Sequence, residues 1–299
     1  MMEPVHRIDG VDASPVRGRV VYDRPKMLWN LSIIAGAVVF APLTFSWSMF
    51  LIFIVSTYLT LLIGHSVGLH RMMIHRAFDG SKTVERLLIY IGVIVGMAGP
   101  FGVVRIHDQR DWAQRQPRCH QFFSHKAGFI KDLWWQLTCH FEFDAPPRFK
   151  IESKFADDQF LQGLESTWRL HQLVLAIVLF LVGGWALVVW GVFARVAISI
   201  VGHWTITYFC HNPGAGRWAV KGASVQASNL PGLGVLTYGE CWHNNHHAFP
   251  ESARIGLEPG QTDPAWWLIC VLNRLGWVFN VKQPRDQSQR EDLVNKYWQ

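Results

Sequence analysis

Three short stretches of this chain carry histidines at spacings that suit a metal ion. The first reads Gly68-Leu69-His70-Arg71-Met72-Met73-Ile74-His75-Arg76. The second reads Arg105-Ile106-His107-Asp108-Gln109-Arg110-Asp111, and the third Gly239-Glu240-Cys241-Trp242-His243-Asn244-Asn245-His246-His247. His211 stands apart as a fourth candidate. At about 100° per residue, His243, His246 and His247 fall within roughly a 100° arc of one helix face. Neutral imidazoles grouped in this way suit iron, zinc, copper or nickel. His70 and His75 are five apart, about 140° around an ideal helix. They share a metal only by converging from the flanks or through a local distortion of the helix. A lone histidine is ordinarily a satisfied polar or surface group, and His6, His125, His140 and His171 are read that way. Soluble di-iron proteins rely on paired Glu-x-x-His motifs. Here Glu240-Cys241-Trp242-His243 matches once and has no partner, so the expected site is dominated by histidine.

The cysteines do not add to it. Cys119, Cys139, Cys210, Cys241 and Cys270 are odd in number and form no Cys-x-x-Cys pair. A disulfide framework and a cysteine zinc site are both disfavoured, leaving reduced thiols.

Hydropathy indicates what must hold the histidines. Half of the 299 residues are apolar and 17% are charged, against roughly a quarter charged in an average soluble domain. Disorder, collagen and a small disulfide scaffold are excluded. Mean hydropathy is +0.13, too low for a chain made only of membrane spans, so a sizeable polar part is expected beside the apolar one. Fifteen Trp suit membrane interfaces. The net charge of +6 allows nucleic acid, anionic lipid or acidic ligands. The apolar runs favour lipid, and no nucleic-acid motif is present.

Residues 1–26 are polar and lack the apolar core of a signal peptide, so none is expected there. Met27 to Trp47 and Met49 to Leu69 are each about 20 residues, enough to cross a hydrocarbon core of about 30 Å. They are read as a helical hairpin. Leu87 to Val104 contains Gly92, Gly96, Gly99, Pro100 and Gly102, which suggests a re-entrant or membrane-skirting segment. Leu170 to Val201 is apolar, broken at Gly183 and Gly184, and continues toward Phe209. It is read as a second hairpin with its turn between Gly183 and about Phe193. An amphipathic stretch, Ala265 to Val278, follows in the polar C-terminal part.

Arg17, Arg19, Arg24 and Lys26 precede the first hairpin, and Arg71 and Arg76 follow it. Arg148, Lys150, Lys154 and Arg169 precede the second, and Arg217 and Lys221 follow. Arg195 is the exception, near the turn at the start of the fourth helix. The positive-inside rule then puts both termini and the metal site in the cytoplasm. The expected fold class is an all-α integral membrane protein: four transmembrane helices in two hairpins, with a cytosolic helical cap carrying the histidine boxes. It forms one domain, 1–299. Residues 1–26 are an N-terminal cytosolic segment, 27–69 the first hairpin, 70–168 a cytosolic or membrane-skirting part, 169–210 the second hairpin and 211–299 a cytosolic C-terminal part.

These residues resemble the integral-membrane fatty acid desaturases, in particular the Δ9 acyl-CoA and acyl-lipid group, from about Trp29 to Pro284. Gly68-x-His70-Arg71-x-x-x-His75-Arg76 is similar to the family's first box. Gly239-Glu240-x-Trp242-His243-Asn244-Asn245-His246-His247-Ala248-Phe249-Pro250 is similar to its third. The tail from Asp263-Pro264-Ala265-Trp266-Trp267 through Leu275-Gly276 to Val281-Lys282 follows its C-terminal pattern, and the spacing of Arg195, Trp204 and His211 resembles its last span. The resemblance implies an O₂-dependent desaturase holding two irons. It implies a fatty acyl substrate, as a thioester or a lipid, and electrons from a separate ferredoxin-, rubredoxin- or cytochrome b5-like protein. By the same resemblance His70, His75, His107, His211, His243, His246 and His247 are metal ligands. The location expected is a bacterial inner membrane.

Two departures stand out. The family's second box is His-x-x-His-His, and this chain has His107-x-x-Arg110-Asp111. Arg stays protonated and binds no metal, whereas a carboxylate can ligate iron. Asp111 is therefore expected to substitute, with His120 and His203 as alternative replacements and the loss of one iron as a third outcome. The family has Asn four residues before the histidine of the last span, where this chain has Thr207, whose hydroxyl could hold a water. Glu240 is expected beside the ligands. Arg110, Arg115 and Arg118 could meet an anionic substrate headgroup or form a solvated loop. A lipid hydroxylase on the same scaffold and a catalytically degraded lipid-binding homologue are the competing functions.

Overall fold

The computed structural model describes residues 7–286 and 290–296. Helix α1 (Arg24–Leu43) starts where the Asp23 carboxylate accepts from the Lys26 amide, with Pro25 in its first turn. Such a cap satisfies one of the N–H groups that a helix start leaves open. After a short turn, Ser46 caps the next helix by accepting from the Met49 amide. That helix, α2 (Trp47–Ile74), runs unbroken into the first histidine stretch, so it does not stop at Leu69. Apolar side chains of both helices face outward: Leu43 of α1 and Trp47 of α2 are each 77% exposed. Phe45, Trp47, Phe50 and Trp190 form an aromatic cluster around the turn. Outward apolar faces suit a lipid surround, in which every backbone group is satisfied within the helix.

From Thr60 to Ile74 the α2 backbone is π-helical. This wide stretch lies against α3 (Lys82–Ile94), and two glycines permit the approach. A Cβ at Gly64 would stand 2.4 Å from the Gly92 nitrogen, and one at Gly68 2.5 Å from the Leu88 oxygen. Both obstacles are backbone and cannot swing aside. Gly64→Val is expected to cost about 3 kcal/mol by overpacking, read as a lower thermal midpoint in detergent.

After a break at Gly96–Gly99, α4 (Pro100–Arg115) begins. Its first turn is capped from another helix: Glu165 Oε2 accepts from the Phe101 and Gly102 amides at 2.8 and 3.2 Å. Leu87 to Val104 is thus shared between two helices and is not one straight span. Helix α5 (Phe129–Thr138) precedes the last long helical run, Gln159–Cys210. That run turns back at Gly183 (φ −149°, ψ 19°) and Gly184 (φ 71°, ψ −164°), giving α6 (159–182) and α7 (185–210). The reversal needs only these two residues; the expected turn reaching Phe193 is corrected, since the backbone is helical again from 185. Gly184 adopts a positive φ open to glycine at no steric cost.

Arg195, the charge expected at a turn, lies inside the bundle, 2% exposed. Its Nη2 donates to Gln172 Oε1 at 2.8 Å, Nη1 to the Ile94 carbonyl at 2.7 Å and Nε to the Gly191 carbonyl at 2.7 Å. It ties α6, α7 and the end of α3 together. Among the described residues, three helical runs are long and apolar enough to cross a membrane: Arg24–Leu43, Trp47–Ile74 and Gln159–Cys210.

The rest forms a polar cap with helices α8 (His243–Ala248) and α9 (Pro264–Arg274). The cap is not wholly helical. Four antiparallel two-stranded ribbons clip distant segments together. Strand β1 (Ile8–Asp9) pairs with β5 (Arg148–Phe149), and β2 (Gly18–Tyr22) with β4 (Cys139–Phe143). Strand β3 (Asp79–Gly80) pairs with β7 (Val278–Phe279), and β6 (Trp218–Val220) with β8 (Leu293–Asn295). The main core, including Val67, Met72, Phe78, Ile89 and Ile269, lies where α2, α3 and α9 meet.

Candidate metal centre

Seven histidines converge into two groups. His70, His75, His107 and His246 form one, and His211, His243 and His247 the other; within each, the candidate ligand atoms all lie within 4.8 Å of one another. His75 Nε2 is 3.2 Å from His107 Nε2. His243 Nε2 is 3.3 Å from His211 Nε2 and 3.1 Å from His247 Nε2. Metal–nitrogen bonds of about 2.0–2.1 Å place adjacent ligand nitrogens about 2.8–3.4 Å apart between octahedral and tetrahedral angles. The rings fit a metal on that criterion.

Protonation supports the same fit. His211 Nδ1 lies 2.7 Å from the Thr207 carbonyl. A carbonyl only accepts, so Nδ1 carries the proton and Nε2 offers a bare lone pair. His107 Nδ1 faces Asp108 Oδ1 at 3.2 Å in the same way. Glu240 Oε2 stands 2.7 Å from His70 Nδ1. Carboxylates and carbonyls behind histidine ligands hold the ring orientation and tautomer in metal sites. Burial keeps His75, His243 and His246 below their usual range, and it holds His247 at about 4. At these four positions a metal therefore meets neutral imidazoles at physiological pH. His107, which burial would lower, is raised by Asp111 and Asp108.

Local structure explains how each side chain arrives. The His75 amide donates to the His70 carbonyl at 3.0 Å, an i→i+5 bond. The wide π turn brings residues five apart onto one side, which is the helix distortion this spacing needs. In α8, His243 and His247 are one turn apart and enter the second group, whereas His246 turns to the first. The three were expected on one face, and the structure divides them between two groups. The asparagines between them anchor the helix. Asn244 Nδ2 donates to the Trp218 and Ala227 carbonyls, and Asn245 Nδ2 to the Ile255 carbonyl and Gln261 Oε1.

Asp111 follows His107 by one turn of α4. Burial would push its carboxyl up, but His107, His247, Arg115 and His75 outweigh burial and hold it well below the usual carboxylate range. Asp111 is not among the ligand atoms that lie within 4.8 Å of one another in either group. Glu240 is likewise held low against burial by His70, Arg71 and Ser66, and the Ser66 hydroxyl donates to it.

The remaining expected residues separate. His203 sits on α7 with its ring 4.8 Å from that of His65, in neither group. His120 caps a short helix, its Nδ1 accepting from the Phe122 amide at 3.1 Å between Trp135 and Phe141; it is not brought to the site. Thr207 contributes its carbonyl. Arg110 is half-buried; burial disfavours its charge, and Asp111 and Asp132 favour it. Arg115 is exposed beside Asp111 and His247, and Arg118 is exposed. His140 and His171 sit among ordinary polar partners, and His6 lies outside the described residues.

His125 is more involved than a lone histidine suggests. Its Nδ1 is 2.9 Å from Asp132 Oδ2, which accepts from Trp204 Nε1 at 2.8 Å, and its ring stacks on His211 at 5.4 Å. Nothing in the spacing of His125 and Asp132 signals this. Arg71 was also not singled out, although it sits inside the first box. It is 1% exposed and donates to Asp263, to Glu240 and to the carbonyls of Tyr238 and Ala253.

Comparison with known proteins agrees with this geometry. The fatty acid desaturase family model matches residues 45–257. A sn-1 stearoyl-lipid 9-desaturase of Anabaena variabilis is 32% identical over 264 residues, covering 85% of this chain and 92% of its own. A sn-2 palmitoyl-lipid 9-desaturase of Nostoc sp. (strain 36) is 30% identical, covering 90% of this chain and 93% of its own. An acyl-CoA 5-desaturase of Anemone leveillei is 29% identical over 84% of this chain and 77% of its own. All seven clustered histidines fall inside the matched residues, and the chain is a member of the fatty acid desaturase family, integral-membrane oxidoreductases that act with O₂.

Proposed function

We propose that this chain is a di-iron fatty acyl desaturase of the Δ9 type, acting on a fatty acyl lipid or acyl thioester. The observation that carries the reading is the pair of histidine groups with nitrogens 3.1–3.3 Å apart. His70, His75, His107 and His246 would hold one iron, and His211, His243, His247 and Asp111 the other. The two arms of Gln159–Cys210 each cross the bilayer in this reading, making four spans with both termini and the irons on the cytoplasmic side. The relatives' names support a fatty acyl substrate: two are lipid 9-desaturases and one is an acyl-CoA 5-desaturase.

No side-chain base takes a proton from an unactivated methylene, so the irons, when bound, supply the redox chemistry. The chain's own residues do the rest. Asp108, Thr207 and Glu240 hold His107, His211 and His70 through their Nδ1 atoms, keeping each Nε2 free. The wall of apolar helices excludes water from the reacting carbons. The overall reaction joins one acyl –CH₂–CH₂– unit, one O₂, two electrons and two protons to give one double bond and two waters. The electrons come from a separate carrier protein.

The test is expression in a host without the activity, followed by mass spectrometry of total fatty acids. A new double bond at carbon 9 is expected. The Arg110-Asp111 pair in the second box favours one second reading, hydroxylation, because changed ligands change iron reactivity. A hydroxylated chain with no new double bond would overturn the desaturase in favour of it.

A further inference from the structure

Arg7 lies near the start of the chain and outside every histidine stretch, yet it is buried, 5% exposed. All five N–H groups of its guanidinium are engaged. Nη1 donates to the Ile74 carbonyl at 2.8 Å and to Asp108 Oδ2 at 3.1 Å. Nη2 donates to the Met73 carbonyl at 2.9 Å and to Glu152 Oε1 at 2.8 Å, and Nε to Glu152 Oε2 at 2.7 Å. Its own backbone is held too, since the Lys150 amide donates to the Arg7 carbonyl at 3.0 Å beside the β1–β5 ribbon.

The acceptors are not scattered. Met73 and Ile74 end α2, where helix carbonyls lack intrahelical partners, and His75 is the next residue. Asp108 offers Oδ2 to Arg7 while its Oδ1 faces His107 Nδ1 at 3.2 Å. One planar group therefore grips the backbone that presents His75 and the carboxylate that orients His107. Those two rings are the pair whose Nε2 atoms stand 3.2 Å apart. A guanidinium fork can serve two carbonyls and two carboxylates together; the point charge of a lysine cannot.

We propose that Arg7 is a positioning residue for the first histidine group, holding His75 and His107 at ligand separation, with Asp108 as the link to His107. The proposal rests on reading that group as a metal site. It places part of the centre's support in the N-terminal segment, whose described residues include none of the seven clustered histidines.

The test uses the full chain in detergent, stripped of metal and titrated with cobalt(II), whose visible absorption reports each site. His246→Ala and His243→Ala serve as references, assigning one binding step to each group. Arg7→Gln is expected to weaken the first-group step by about 10- to 100-fold, the usual effect of losing a partner behind a ligand. The second-group step should stay within about threefold. Arg7→Lys should recover only part of the loss. Asp108→Asn should weaken the same step, and adding Arg7→Gln to it should cost little more, because the two act as one unit. Equal weakening of both steps, or no change in either, overturns the proposal. If Arg7→Gln is not monodisperse, Asp108→Asn decides: an unchanged first-group step overturns it. A wild-type titration without two steps would instead sink the metal reading itself.

Discussion

Asp111→Ala is expected to take the purified protein from close to two irons per chain toward one. The reason is the composition of the second group, which has three histidines against four in the first. Asp111 follows His107 by one turn of α4, and in the proposed di-iron centre its carboxylate is this group's fourth ligand. A carboxylate there would supply an oxygen ligand of the kind an iron site accepts. Its removal should weaken iron at the second group by at least the roughly 10- to 100-fold seen when mere supporting partners are lost. Iron analysis alongside protein quantitation measures it. Asp111→His, which restores the residue type usual at this position of the box, is expected to retain both irons. An unchanged iron count in Asp111→Ala would remove Asp111 from the ligand set and leave the second group with its three histidines.

Asp263→Ala has the second large expected effect, on stability. Asp263 is 2% exposed and Arg71 is 1% exposed. Asp263 Oδ1 and Oδ2 lie 2.8 and 3.1 Å from the two Nη atoms of Arg71, a two-armed charged pair. The same carboxylate accepts from the amides of Ile255, Gly256 and Trp266 at 2.8, 3.1 and 3.0 Å. Removing it leaves the buried guanidinium with the Glu240 carboxylate at 3.4 Å as its remaining counter-charge, and leaves three amides without their acceptor. Breaking a buried pair from one side costs about 3–5 kcal/mol, and the lost amide bonds add to that. Thermal unfolding in detergent should register it as a large fall in midpoint. Arg71→Met in the Asp263→Ala background should recover part of the loss, since it removes the guanidinium left without that partner. A double variant no more stable than Asp263→Ala would show that the amide bonds, and not the charge, set the cost.

These two experiments separate chemistry from support. Asp111 bears on what the site binds. Asp263 and Arg71 bear on whether the first and third histidine stretches stay together, because Arg71 is next to His70 and also reaches Glu240 beside the third stretch.

The amino-acid sequence by itself determined the kind of chemistry and the membrane setting. Residue type and short-range spacing are local properties, and the histidine stretches, the long apolar runs and the breaker pair Gly183-Gly184 could all be read from them. So could the Arg110-Asp111 departure in the second box, since it needs only the identity of two neighbours. The tertiary structure decided how the histidines are shared. His246 joins residues 70, 75 and 107 while its neighbours His243 and His247 join 211, and no helical wheel predicts that split. The π turn that aligns His70 with His75 lies in a stretch packed closely on α3 at Gly64 and Gly68. Arg195 reads from the sequence as a charge near the start of the last span, but its burial as a tie between helices does not, and Arg7 and His125 gave no signal at all. The physical reason is the same in each case. A ligand set, or a guanidinium with five acceptors, is defined by ångström-scale convergence of segments that can be more than a hundred residues apart. That convergence comes from packing among helices and ribbons, which spacing along a chain does not encode.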